Sequence, residues 1–81
     1  MKPQIITSKD NPKLLSATCT LEWYEHLAKQ CAESGRAMQS SMWAAKAKNM
    51  RTAEIKDTDY VYDETLMREI NGGSDGENNG A

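Results

Sequence analysis

The stretch CAESGRAM, Cys31–Met38, decides the fold, because it fits either the middle of one long helix or the turn between two helices. Ser34 and Gly35 indicate a break, since glycine commonly follows the last residue of a helix. The apolar pattern favours a continuous helix, because small and apolar residues recur at spacings of three and four, in one heptad phase, on both sides of the glycine. This predicted seam consists of Leu21, Tyr24, Ala28, Cys31, Gly35, Met38, Met42, Ala45 and Asn49.

The unbroken phase predicts one central helix over residues 20–51, roughly 48 Å long and capped by Thr20. The alternative is a hairpin of two helices, 20–34 and 37–51. Either arrangement gives a mostly α fold built on a long or broken central helix.

The flanking segments predict shorter elements. Ile5-Ile6-Thr7 is a β-branched run typical of an edge strand or an extended arm. Asn11-Pro12 is typical of a helix start and predicts a short helical turn through Leu14 and Leu15.

Beyond residue 51, the alternation of Ile55, Tyr60 and Tyr62 predicts a small β-hairpin, or a loop that lays its aromatic rings on the helix. Asp63 is placed to cap a short terminal helix. The apolar face of that helix is formed by Leu66, Met67 and Ile70.

The composition predicts one small helical domain over residues 1–70 and a disordered acidic tail over residues 71–81, which has no apolar anchor. The chain has 81 residues, of which ten are leucine, isoleucine or valine, and it has no phenylalanine. Such a small aliphatic inventory predicts that another protein, or another copy, completes the core.

The charges along the central segment predict how two copies would pack. Residues 20–34 contain three glutamates and one lysine, for a net charge of −2, whereas residues 36–51 contain four basic residues and no acid, for +4. An antiparallel pair of long helices crossing near Gly35 would set acidic halves against basic halves. The seam would then form a coiled-coil homodimer whose register is fixed by Asn49.

The segment after Gly35 predicts a protein-binding surface, because methionine and tryptophan suit adaptable contacts. The predicted partner-binding residues are Met38, Met42, Trp43, Lys46 and Met50. They favour a small protein interaction module, either a self-associating adaptor or an inhibitor that docks on a larger host enzyme or assembly. Short chains of this kind are frequent among phage accessory proteins.

Two other functions fit parts of the sequence. The basic flank formed by Arg36, Lys48 and Arg51 suits a small nucleic-acid-binding protein. The eight acids within residues 54–77 suit an inhibitor that imitates the charge of DNA.

Other function classes receive no support from the sequence. Cys19, His26 and Cys31 match no zinc-binding spacing, and no nucleophile constellation accompanies them, so we predict no metal site, no cofactor, no small-molecule substrate and no enzymatic activity. The sequence has neither a signal peptide nor an apolar run that would span a bilayer, and it predicts a cytoplasmic protein without membrane contact.

Overall fold

A computed structural model describes residues 2–56 and 58–71, and this part of the chain is mostly helical, which confirms the predicted fold class. A two-residue strand β1, Leu15–Ser16, leads directly into helix α1, Ala17–Glu33. Helix α2, Ala37–Thr52, follows after a three-residue turn, and strand β2, Tyr60–Val61, precedes helix α3, Glu64–Ile70. The strands β1 and β2 pair antiparallel, with Leu15 opposite Val61.

The central helix breaks at Gly35, so the continuous helix over residues 20–51 was wrong and the hairpin alternative is correct. Gly35 has a φ angle of 79°, in the left-handed region that favours glycine. Its N–H donates to the carbonyl of Ala32, at 3.2 Å, and the N–H of Arg36 donates to the carbonyl of Cys31, at 2.8 Å. This pair of hydrogen bonds is a Schellman motif, which ends α1 and reverses the chain.

The break also has a cause in the apolar faces of the two helices. The buried residues of α1 include Tyr24, Leu27 and Cys31, whereas those of α2 are Trp43, Ala47 and Met50. On one straight helix these two faces would lie about 150° apart at 100° per residue. A straight helix could not bury both against one partner, whereas the turn lets them face each other.

Helix α1 begins three residues earlier than predicted. The hydroxyl of Ser16 caps it by accepting a hydrogen bond from the N–H of Cys19. Thr20, the predicted cap, lies one turn inside the helix, where its hydroxyl donates to the carbonyl of Ser16 at 2.9 Å. Because β1 runs into α1 without a loop, the strand pairing fixes where the helix starts.

The predicted helical turn through Leu14 and Leu15 was wrong. A single turn, in which the N–H of Leu14 donates to the carbonyl of Asn11, is followed at once by strand β1. Leu15 is almost fully buried and is paired on both sides, with Val61 in β2 and, through an isolated bridge, with Thr7. Pairing with two neighbouring segments outweighs the weak local helix signal.

The C-terminal helix forms as predicted, with Asp63 as its N-cap and with Leu66 buried. Tyr60 and Tyr62, however, are exposed and do not cover the helices. The core instead lies between α1, α2 and the small sheet, and α3 closes it with Leu66. Its largest members are Leu15, Trp23, Tyr24, Leu27, Trp43, Met50 and Leu66. Nearly all of the predicted acidic tail, residues 72–81, lies outside the described residues.

Candidate protein-binding surface

Helix α2 presents two different faces. The inner face, consisting of Trp43, Ala47 and Met50, is buried against α1 and the residues that follow α2. The outer stripe, which we define as Met38, Met42, Ala45 and Asn49, is exposed along its whole length. Met38 is 85% exposed and Met42 is 38% exposed, whereas Trp43, the next residue, is 3% exposed.

The structure therefore divides the predicted partner-binding residues. Trp43 and Met50 belong to the core of this chain, which corrects the expectation that they form part of an exposed surface. The Trp43 ring packs against the ring of Tyr24, with the ring centroids 5.8 Å apart. Met38 is the member of the set that is almost fully exposed, and Met42 is partly exposed. The local signal for this division was the size of Trp43, since the bulkiest apolar side chain of a helix usually marks its buried face.

The predicted dimer seam is divided in the same way at Gly35. Tyr24 and Cys31 are buried within the chain, and Leu21 and Ala28 are partly buried. The seam residues that follow the turn are the outer stripe, which faces the opposite side of α2. The seam is therefore not one continuous surface in this structure, and a coiled coil along its length is not formed.

Part of the charge complementarity that suggested a dimer is met inside one chain. Helices α1 and α2 lie antiparallel, so the acidic first helix packs along the basic second one. Arg51 forms an ion pair with Glu25 on the exposed side of the hairpin. Ser40 adds a second link between the helices, because its hydroxyl donates to the carbonyl of Ala28 at 2.7 Å.

Lys46 lies between the two faces of α2 and is held by Asp63. Its Nζ atom is 2.7 Å from Oδ2 of Asp63 and 5.3 Å from the centroid of the Trp43 ring. The hydroxyl of Tyr24 donates to the same carboxylate oxygen at 2.6 Å. Oδ1 of Asp63 accepts the N–H groups of Thr65 and Leu66 at the start of α3. One carboxylate thus joins α1, α2 and α3.

This arrangement shifts the pKa values of two groups. Burial raises the pKa of the Tyr24 hydroxyl, and the neighbouring Asp63 carboxylate raises it further. Burial alone would also raise the pKa of Asp63, but the hydrogen bonds from Lys46, Tyr24 and the N–H of Leu66 together lower it below its usual value. Asp63 is therefore held as a carboxylate, and the sequence identified only its capping role.

An open, mostly apolar groove of about 290 Å³ continues the surface beside the outer stripe. Asn49 belongs to both the stripe and the groove. The groove is lined by Tyr24, Lys46, Asn49, Met50, Ala53, Ile55, Val61 and Asp63. The stripe and the groove together form a mostly apolar track along α2, and the charged residues on it are the ion pair of Lys46 and Asp63.

The basic residues proposed for nucleic-acid binding are in different situations. Arg51 is engaged by Glu25, as described above. Arg36 and Lys48 have no acidic partner within the described residues, and they lie about 18 Å apart along the helix axis. A compact flank of three free cations is not assembled.

The structure also locates the residues that were considered as metal ligands. Cys19 and Cys31 are buried free thiols, and His26 packs edge-on against Trp23 with ring centroids 5.6 Å apart. Burial lowers the pKa of His26. Across residues 2–56 and 58–71, no group of three or more His, Cys, Asp and Glu side chains could hold a metal ion. In the same ranges, no helix has the length and apolar character needed to cross a membrane.

Comparisons with known proteins found no match to this chain. No protein-family model, curated protein or solved structure matches the chain.

Proposed function

We propose that this chain is a protein interaction module that receives an apolar, acidic helix of a larger partner on the outer stripe of α2. The observation that carries the proposal is the exposure of Met38 and Met42 on one side of a helix whose other side is fully packed. An exposed methionine pair on a rigid helix is unexpected for a surface that meets only water, since large apolar side chains gain from being covered.

The surface around the methionines suits a helical partner. From Ala37 to Ala45 the helix carries no charged residue, so a second helix could approach without stranding a charge. Methionine side chains adapt to the shape of a partner, and helices commonly dock through residues spaced three, four and seven apart. The outer stripe has this spacing, and the groove beside Asn49 extends it.

The partner's charge follows from the charges near the stripe. Between Ser34 and Ala53 the chain has four basic residues and no acid. Arg36 and Lys48 have no acidic partner in the described part of the chain, and they can pair with carboxylates on an incoming helix. Two copies of this chain would instead bring like charges together at the stripe, which disfavours self-association through this face. Regulation of a larger enzyme or assembly, as an adaptor or inhibitor, is the role we infer.

A double substitution on the stripe tests the proposal. Met38→Glu with Met42→Glu adds two negative charges at the proposed contact, and Ala37→Glu with Ala44→Glu adds the same charges to another flank of α2. A tagged protein with a photoreactive amino acid at Ala45, a stripe position that neither double variant changes, would be cross-linked in its native cell, with and without nuclease treatment.

We expect the wild type and the Ala37/Ala44 control to cross-link the same protein through an acidic amphipathic helix, and the Met38/Met42 variant to lose it. Circular dichroism would show that all three fold. Equal cross-linking by the two double variants, or a cross-link that disappears with nuclease, would contradict the proposal.

A further inference from the structure

The N-terminal arm, residues 5–8, forms one edge of the small sheet. The N–H of Ser8 donates to the carbonyl of Leu14, and the N–H of Ser16 donates to the carbonyl of Ile6, both at 2.9 Å. These bonds flank the antiparallel bridge between Thr7 and Leu15. Because β1 pairs with β2 on its other side, the arm is the outermost segment.

The arm has unused hydrogen-bonding groups on its outer side. In an antiparallel pair of this type, the neighbours of the bridge residue make the bonds, so the N–H and C=O of Thr7 point away from β1. The backbone of Ile5, two residues earlier, points in the same direction. Neither Ile5 nor Thr7 has a backbone hydrogen bond among those of the described residues. Ile5 is 54% exposed and Ile6 is 46% exposed.

An exposed apolar strand edge is a site for pairing with another strand. We infer that the arm pairs antiparallel with the arm of a second copy, about a two-fold axis at Ile6. In this register Ile5 of each copy lies opposite Thr7 of the other, which gives four new backbone hydrogen bonds. The two Ile6 side chains meet at the axis. This surface is separate from the outer stripe of α2, so the inference is independent of the proposed function.

The residues around the arm select this register over its neighbours. A two-fold axis at Ile5 would set Thr7 opposite Pro3, which has no N–H to donate. An axis at Thr7 would set Ile5 opposite Lys9, at the bend where the arm leaves its extended path. Only the axis at Ile6 matches both free residues of one arm with both free residues of the other.

Charge supports the same register. The axis at Ile6 places Lys2 of one copy at the end of the ladder, facing the bend of the other copy that contains Asp10, and the symmetry makes this approach twice. Lys2 and Asp10 are both exposed, and neither forms an ion pair within residues 2–56 and 58–71. The second copy thus supplies partners for the free backbone, the exposed isoleucines and two unpaired charges.

The ladder is short, and interfaces of small area are typical of weak and transient complexes. We therefore expect a dimer that dissociates on dilution. Analytical ultracentrifugation of the full chain over a wide concentration range tests this, with Thr7→Pro as the disrupting variant. Proline removes an edge N–H that has no acceptor among the residues the structure describes, and Thr7→Val, which keeps the N–H, is the matched control.

We expect the wild type and Thr7→Val to dimerise with the same Kd and Thr7→Pro to remain monomeric. A wild type that stays monomeric at about millimolar concentration, or a dimer unaffected by Thr7→Pro, would overturn the inference.

A charge exchange tests the register without a change to the backbone. Lys2→Glu and Asp10→Lys should each raise the Kd, by roughly three- to tenfold at low salt, because each breaks two surface ion pairs. The double variant restores both pairs with the signs exchanged and should return the Kd to the wild-type value. A double variant that binds more weakly than either single variant would show that the arms do not meet in this register.

Discussion

The two faces of α2 are built from similar residues but are used differently. Met50 lies on the inner face and is buried, whereas Met38 lies on the outer stripe and is almost entirely exposed. Met42 and Trp43 are neighbours in the chain, yet they fall on opposite sides of the division. The helix is therefore not a peripheral element with one apolar face, because it has a filled face toward the core and an unfilled face toward solvent.

This difference separates two reasons for an apolar residue to be present. The inner face is explained by folding, because its side chains interlock with α1 and with residues after Thr52. The outer stripe contributes little to that core. Its apolar side chains are consequently the better evidence for a partner, even though Trp43 is the more conspicuous residue in the sequence.

The largest effect expected from this comparison is at Trp43. We predict that Trp43→Ala lowers the free energy of unfolding by about 3–5 kcal/mol, because it removes a fully buried indole and leaves a cavity beside Tyr24. A domain of this size has little stability in reserve, so the variant should be largely unfolded at room temperature. Circular dichroism and urea denaturation measure the change.

The adjacent residue provides the control for that measurement. Met42→Ala removes a large side chain from the same helix, but a partly exposed one, and it should change the free energy of unfolding by about 0.5 kcal/mol or less. Similar losses at Met42 and Trp43 would mean that the two faces are not distinguished in solution.

The second effect concerns Asp63, which anchors the margin between the two faces through Lys46. Asp63→Ala removes a helix cap, an ion pair and the acceptor of the Tyr24 hydroxyl, and it should cost about 2 kcal/mol. Because the pKa of Asp63 is lower in the folded chain than in the unfolded one, its stabilisation is complete above about pH 4 and is lost as the pH falls through the folded value.

Urea denaturation between about pH 3 and pH 7 measures this dependence, because this range spans the titration of a carboxyl group at about pH 4. Asp63→Ala should be less sensitive to acid than the wild type. The control, Glu64→Gln, changes the residue next to Asp63 and removes only its exposed ion pair with Arg68. This variant should leave the acid dependence nearly unchanged. If Asp63→Ala kept the full acid dependence, the carboxylate would not hold the three helices together.

Residue identities alone predicted the helical class, the end of α2 within one residue and the cap of α3 at Asp63. These features depend on local signals: helix-forming residues, a capping carboxylate and an apolar face. The division of α2 into two faces could not be read in the same way. Both Met38-Met42-Ala45 and Trp43-Ala47-Met50 have helical spacing, so spacing does not choose between them. The size of Trp43 is a local signal for the buried set, and the packing of α1 settles the choice.

The misplaced start of α1 has a similar origin. Thr20 and Ser16 are both good capping residues, and the choice between them depends on Leu15, which is held in a strand by partners before and after it in the chain. Such long-range pairing leaves no signature in the local sequence. The arm edge at Ile5 and Ile6 was visible as a β-branched run, but its open side becomes apparent only when its hydrogen bonds are assigned.

Apart from the Met42→Ala control, the smallest predicted change in stability is at Gly35, and the sign of this change is informative. In the hairpin, Gly35→Ala forces an L-residue into a left-handed conformation and should destabilise the fold by about 1 kcal/mol. A Cβ atom at Gly35 would meet no atom within 4 Å, so the cost isolates the backbone. In a continuous helix the same substitution would stabilise by about 1 kcal/mol, since glycine is a poor helix former. Gly35→Asn, which tolerates the left-handed region, should cost less than Gly35→Ala in the hairpin. Urea denaturation of the two variants therefore distinguishes the hairpin from a continuous helix by the direction of the change. If Gly35→Ala were more stable than the wild type, the helix would be continuous and the outer stripe would belong to its seam.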